Sequence, residues 1–369
     1  MKIPFIDIKR IETGFMKDWL LRVSEISEQA AFISGDTVRD MERQLADFVQ
    51  VKNVISCGNG TDALQLALRA SGVGPGDKVL LPDMTFWATF EAIVNVGAAP
   101  VTVDIDPNDG GIDLESFRLA IKTEKPKVAL IAHLYGWGTG DLDLLRTYCK
   151  EESVILVEDG AQCFGSEWQS EPIYKGAHIS TTSFYPAKVL GAAGDGGAIF
   201  TQDDNLAEKV RCLANHGRSS HYGYKDVGWN SRMDALQCAY VTLALQKLEM
   251  RIASRLDSAT YYRKNLSHAG VTVLDVPAGY KENGYCNVLT VEDPDLKIKI
   301  EDRLKECGIS FGNIYPGSMS SQPPAKTFSA GHYGGHEADA FASKVLNLPL
   351  FPYMTTAELD YIIDIMNKV

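Results

Sequence analysis

Positive charge is in short supply in this 369-residue chain: 36 lysines and arginines stand against 48 aspartates and glutamates, a formal net charge of −12. A chain this acidic is not drawn to polyanions, which argues against nucleic acid and anionic membranes as partners. It does not exclude an anionic small ligand, because a local site can still be positive. Long apolar runs are also missing. Met1-Lys2-Ile3-Pro4-Phe5-Ile6-Asp7 holds too short a hydrophobic stretch for a signal peptide, and no run approaches membrane-spanning length. Close cysteine pairs are absent. The seven cysteines (57, 149, 163, 212, 238, 286 and 307) are scattered and odd in number, which points to buried thiols in a reducing compartment rather than a disulfide framework or zinc site. The expectation is a cytoplasmic protein.

Two nucleotide-binding signatures are lacking as well. Cys57-Gly58-Asn59-Gly60-Thr61-Asp62 joins a strand to a helix but has no P-loop lysine. The glycines at 72, 74 and 76 surround Pro75 and read as a turn. A nicotinamide-dependent sugar oxidoreductase needs G-x-G-x-x-G and an acidic residue about twenty positions on, and neither is found.

What is present is a globular balance, 45% hydrophobic and 23% charged. Apolar strands at 53–57, 79–81, 101–104, 128–132 and 154–157 alternate with helices at 61–71, 86–96 and 141–151, which predicts an α/β fold with a mostly parallel central sheet flanked by helices. A helical stretch over 234–266 is expected to link a large domain, residues 1–240, to a smaller α+β unit within 241–369. The smaller unit is expected to hold a strand near 286–291, a helix over 296–307 and a final helix over 356–369. The Ser/Gly/Pro-rich segment 317–335 reads as a loop.

Lys188 lies in Ser183-Phe184-Tyr185-Pro186-Ala187-Lys188-Val189-Leu190-Gly191, before the turn Gly194-Asp195-Gly196-Gly197. An amine in such an apolar setting is desolvated, which favours the neutral nucleophile that a Schiff base needs; a lysine whose stem packs while its head reaches water is the ordinary alternative. Asp159 closes an apolar strand in Val157-Glu158-Asp159-Gly160-Ala161-Gln162. A carboxylate there is costly unless paired, and a protonated pyridine nitrogen is a suitable partner, although a plain helix N-cap is the simpler explanation. Glycines and free amides before the 61–71 helix suit a phosphate, though Thr61 or Asp62 acting only as a cap would explain them too. Together the three describe pyridoxal phosphate, whose electron sink the protein orients.

At this point the chain resembles the DegT family of sugar aminotransferases, within the fold-type I pyridoxal phosphate enzymes. The resemblance runs from Phe5-Ile6-Asp7 to Leu348-Pro349-Leu350-Phe351-Pro352. It is carried by the Lys188 segment, Asn59-Gly60-Thr61-Asp62-Ala63-Leu64, His133-Leu134-Tyr135-Gly136, Glu158-Asp159-x-Ala161-Gln162 and Gly228-x-Asn230-x-Arg232-Met233. It implies pyridoxal 5′-phosphate as cofactor, with Lys188 as its covalent anchor and proton carrier and Asp159 opposite the ring nitrogen. Gln162 would lie on the 3-oxygen side, Phe86 on the ring face, and Gly60, Thr61 and Ser183 at the phosphate. Asn230 would reach in from a second subunit of a homodimer. The implied reaction carries nitrogen from L-glutamate to a UDP- or dTDP-linked keto-sugar, with the 3-keto position favoured over the 4-keto. Tyr315, Arg232 and His216 are candidates for substrate contact. Many members have His-Tyr before the proline of Asn313-Ile314-Tyr315-Pro316; here Ile314 replaces the histidine, which bears on sugar contacts and not on cofactor chemistry. A dehydratase branch carries histidine at the lysine position, so Lys188 argues against it. A non-catalytic cofactor-binding sensor remains an alternative. No metal site is expected, because glycines separate His332 from His336 in a loop-like stretch, and His133 reads mainly as a core histidine.

Overall fold

The computed structural model describes residues 1–220 and 223–369. Its strands include β1 (Asn53–Cys57), β2 (Lys78–Pro82), β3 (Ala99–Val103), β4 (Val128–Ala132), β5 (Ile155–Asp159), β6 (Ile179–Ser183), β7 (Gly197–Thr201), β8 (Val271–Val273), β9 (Asn287–Val291), β10 (Gly331–Tyr333) and β11 (Val345–Leu348). One eight-stranded sheet runs β1-β7-β6-β5-β4-β2-β3-β10. From β6 to β10 every neighbouring pair is parallel. β7 is antiparallel to both its neighbours, β1 and β6.

The apolar runs that predict these strands are continuous because both faces are covered. Successive residues alternate between two cores. Leu80, Ala129, Ile131 and Leu156 face one; Val79, Leu81, Val128, Leu130 and Val157 face the other. Met41 and Leu45 from helix Asp36–Val49 and Phe117 from Leu114–Glu124 close the first. Leu64 and Leu68 from Gly60–Ala70 and Phe90 and Ile93 from Trp87–Asn95 close the second.

A separate antiparallel sheet, β8-β9-β11, shares a third core with helices Pro294–Glu306 and Thr356–Met366, through Leu289, Leu304, Leu346 and Ile362. Segments from the two ends of the chain are interleaved. Ile3 packs into this third core and donates its amide to Gly308 O at 2.9 Å, whereas β10 lies against β3 of the large sheet.

Three expectations need correction. The stretch 234–266 is two helices, Ala235–Leu245 and Leu248–Asn265, with a break at Gln246–Lys247. The first puts Cys238, Val241 and Ala244 into the core of the large sheet, and the second runs from Leu248 and Ile252 in that same core to Tyr262 in the small one. The segment 317–335 contains helix Ala325–Phe328 and β10. β10 has no apolar run and takes its order from pairing with β3 at the sheet edge. The last helix ends at Met366 rather than Val369.

A charged network is buried behind β5. Glu158 accepts from Arg146 Nε and Nη2, both at 2.8 Å, and lies 2.9 Å from His133 Nε2. Burial works to raise the Glu158 pKa, but Arg146 and His133 outweigh it and hold it at about 2 against an ordinary 4.5. A carboxyl with a depressed folded pKa adds stability that is fully present above the unfolded value and lost as pH falls through the folded one. Wild-type stability should therefore decline between pH 4.5 and about 2. Arg146→Met strands the buried carboxylate and should lower the unfolding free energy at pH 7 by about 3 kcal/mol or more in urea denaturation. An unchanged midpoint would contradict this role for the network.

Candidate active site

The strand order brings three chain segments to one edge of the sheet. Gly197, at the start of β7, lies opposite both Cys57 at the end of β1 and Ser183 at the end of β6. β5 runs parallel to β6 and ends at Asp159. The carboxyl ends of β1, β5 and β6 therefore open together, where ligands bind in parallel sheets.

Asp159 is 7% exposed. Its Oδ2 accepts from Thr89 Oγ1 and its Oδ1 from the Ala161 amide, each at 3.0 Å. Both donors are neutral, and no salt bridge among the described residues includes Asp159. The chain turns after β5 without starting a helix, so Asp159 is not a helix cap. Thr89, on helix Trp87–Asn95, carries no signal in the sequence as its partner.

Helix Gly60–Ala70 starts beside Ser183. Its cap is Asn59, whose Oδ1 accepts from Asp62 N at 2.8 Å, rather than Thr61 or Asp62. The amides of Gly60 and Thr61 donate no hydrogen bond among the described residues, so the positive helix end is open to an anion. Two glycines make the close approach possible. A Cβ on Gly60 would lie 2.8 Å from Ser183 Cβ, and one on Gly197 would lie 2.5 Å from Asn59 O.

Lys188 follows β6 in a turn closed by its own amide to Tyr185 O at 2.8 Å. It is half-buried. Its Nζ lies 3.4 Å from the Tyr285 hydroxyl and 5.0 Å from that ring's centroid, and no carboxylate pairs with it among the described residues. Tyr285 comes from a distant part of the chain, and nothing local in the sequence marks it.

Gln162 links the large sheet to the segment around residue 315. Its Oε1 accepts from Tyr135 N and its Nε2 donates to the Tyr315 hydroxyl, both at 2.7 Å. Tyr135 Oη donates to Ile314 O at 2.7 Å, closing a ring of four residues. Tyr135 holds a left-handed φ of 62° at full burial, a conformation that persists when its surroundings fix it. Burial is the main cause pushing the Tyr315 phenol well above its usual pKa of 10, with Tyr285, Tyr135 and Asp159 adding to it. Phe86 is 57% exposed, and its ring centroid lies 6.0 Å from that of Tyr315.

Three candidates are not joined to this cluster within the chain. Asn230 is exposed. Arg232 donates to Asn215 Oδ1 at 2.7 Å, and the His216 amide donates to Trp229 O at 2.7 Å. Their link is indirect: Ser231 donates to Asp62 at 2.6 Å and accepts from Gly58 N at 2.9 Å. His133 is buried against Glu158. His332 and His336 lie at the far sheet edge, where His332 Nδ1 is 2.9 Å from Thr102 Oγ1.

The needs of the cluster fit pyridoxal phosphate. A buried carboxylate lacks a cation, two helix-end amides lack acceptors, an amine lacks an acid and an aromatic face is open. A protonated pyridine ring carrying a phosphate and an aldehyde supplies each partner. Gly60→Val fills the gap against Ser183 and should weaken pyridoxal phosphate binding to the apoprotein at least tenfold in an absorbance titration, with circular dichroism retained. Unchanged affinity would remove Gly60 from the phosphate cradle.

Known proteins match the chain over nearly its whole length. Residues 16–367 match the DegT/DnrJ/EryC1/StrS aminotransferase family. The chain is 35% identical over 360 residues to UDP-2-acetamido-2-deoxy-3-oxo-D-glucuronate aminotransferase of Pseudomonas aeruginosa, covering 98% of each chain. It is 31% identical over 366 residues to UDP-N-acetyl-3-dehydro-alpha-D-glucosamine 3-aminotransferase of Acidithiobacillus ferrooxidans, covering 99% of this chain and 97% of that one. It superposes with a TM-score of 0.90 on NtdA of Bacillus subtilis, solved with the cofactor PMP bound, at 29% identity over 99% of this chain and 84% of that one. No helix among the described residues is long and apolar enough to cross a membrane. The chain belongs to the DegT/DnrJ/EryC1/StrS aminotransferase family, and it is a transaminase whose cofactor is pyridoxal phosphate.

Proposed function

We propose that this transaminase carries nitrogen from L-glutamate to a nucleotide-linked 3-keto-sugar. The observation that carries the chemistry is the convergence of Lys188, Asp159 and the Gly60–Thr61 amides at one sheet edge. The sugar class is supported by two relatives matched end to end, both named for UDP-linked 3-oxo or 3-dehydro sugars, which favours UDP over dTDP and C3 over C4.

When bound, pyridoxal phosphate supplies the aldehyde that exchanges nitrogen and the ring that stores electrons. Lys188 takes a proton from the donor's α-carbon and returns one to the sugar carbon, acting as base and then acid. The turn around Tyr185 and the Tyr285 hydroxyl hold its amine at the strand ends. Asp159 would face the ring nitrogen, with Thr89 and Ala161 fixing both its oxygens. The Gly60 and Thr61 amides and the Ser183 hydroxyl hold the phosphate. Phe86 covers the ring face. Gln162 stands beside the 3-oxygen and sets Tyr315 at the sugar end. Tyr135 takes up the Ile314 carbonyl, so this stretch keeps its backbone anchor without the histidine common in the family. Arg232 and His216 face the anionic end of the sugar nucleotide. Asn230 completes the phosphate site of a second copy, since its exposed side chain has no role in its own site.

Lys188→Ala should abolish turnover while the protein still binds cofactor; full activity would refute the mechanism. UDP- and dTDP-linked 3-keto and 4-keto sugars incubated with glutamate and read by mass spectrometry should show ketone-to-amine conversion for a UDP 3-keto-sugar. Conversion of only 4-keto substrates would overturn the assignment of position. A cofactor-binding sensor would convert none of them. Co-expression of Lys188→Ala and Asn230→Ala chains should restore about a quarter of wild-type activity, because a mixed dimer keeps one intact site. No restoration would place Asn230 in its own subunit's site.

A further inference from the structure

A second opening borders Lys188 on the side of the N-terminal segment. It is a cavity of about 310 Å3, with Trp19 and Tyr240 among its apolar walls and Arg10, Arg251, Arg255 and Lys188 among its cations. Two of the three arginines are neutralised from within the chain. Arg10 pairs with Glu358 and Asp7, and Arg251 donates to Glu12 through Nε at 2.9 Å and Nη2 at 2.8 Å.

Arg255 has no such partner. It is 4% exposed. Among the described residues its hydrogen bonds run only from Nη1, to the carbonyls of Gly284 at 3.3 Å and Leu350 at 3.0 Å. Its Nε is buried without a partner, and Nη2 makes no hydrogen bond among the described residues. The Nε–Nη2 edge, the edge that grips a carboxylate with two parallel bonds, is therefore uncommitted. Burial lowers the Arg255 pKa from 12.5 to about 10, which leaves it charged at neutral pH. A buried, unmatched guanidinium is costly and calls for an anion. Tyr285 connects the two cations: its hydroxyl is 3.4 Å from Lys188 Nζ, and Arg255 Nη1 holds the carbonyl of the preceding residue, Gly284.

We propose that Arg255 anchors a carboxylate of the amino-acid donor in this cavity. The assignment rests on the donor half of the function proposed above. An α-amino acid carries a carboxylate two bonds from the nitrogen it gives up, so a donor reacting at Lys188 must seat an anion close by. The keto group of the sugar makes no such demand. One unmatched cation suits one carboxylate, and the two neutralised arginines leave no second vacancy for a diphosphate.

Glutarate, a dicarboxylate with neither amine nor ketone, is the probe. Calorimetry on the wild-type holoenzyme should show glutarate binding, and kinetics should show it competing with glutamate. In Arg255→Met, glutarate affinity should fall roughly tenfold or more and the KM for glutamate should rise by a similar factor, the loss expected for removing a charge-assisted pair. Arg255→Lys should recover part of both. The rate at which aminated holoenzyme converts the keto-sugar should fall far less than the glutamate half-reaction. Equal losses in the two half-reactions, or undiminished glutarate binding, would overturn the assignment. Should Arg255→Met fail to fold, a crystal of wild-type holoenzyme with glutarate decides: a carboxylate on Arg255 supports the anchor, and one seated elsewhere removes it. A wild-type holoenzyme that binds glutarate through Arg255 yet takes no nitrogen from glutamate would contradict the choice of donor and leave the carboxylate anchor standing.

Discussion

Asp159 ends a strand covered on both faces, and its carboxylate sits there with only a threonine hydroxyl and a backbone amide as donors. Neutral donors lower the cost of burying that charge without cancelling it. No cation pairs with it among the described residues, and Arg146, in the network behind β5, is committed to Glu158. Adjacent residues of one strand thus meet opposite fates. Glu158 points into the protein and is fully compensated. Asp159 stands at the open strand ends, where the proposed cofactor ring would face it.

The other parts of the site are arranged around Asp159 by the same economy of contacts. Gly60 and Gly197 let the helix start, β6 and β7 come closer than any side chain would allow. The Tyr135–Gln162–Tyr315–Ile314 ring then joins the strand ends to a segment near the small sheet. A shift of that segment would break bonds on both sides, from Gln162 to Tyr315 and from Tyr135 to Ile314. The motif around His133 is divided between that ring and the network behind β5. Its histidine serves the buried network, and its tyrosine serves the site.

Much of this is legible in the residues because the strands are continuous apolar runs with turn signals between them, and because glycines, a strand-end aspartate and an apolar lysine stand close to those turns. What escaped has a common cause. β10 has no apolar pattern and is ordered by its neighbour. The break at Gln246–Lys247 falls inside a helix-favouring stretch whose flanks, Ala244 and Leu248, pack in the same core. Thr89, Tyr285 and Arg255 reach the site from other elements, through contacts that only the tertiary fold creates. Asn59 caps the helix in place of Thr61 or Asp62 because the helix begins at Gly60, one residue earlier than the apolar pattern predicts.

The most direct measurement of the missing charge compares Asp159→Asn with wild type in both apo and holo forms. If the carboxylate is an uncompensated anion matched only by the protonated cofactor ring, the substitution should raise the melting temperature of the apoprotein and weaken pyridoxal phosphate binding at least tenfold. An apoprotein that is destabilised by the change while its cofactor affinity stays the same would show that Asp159 serves the fold alone, and would contradict the account.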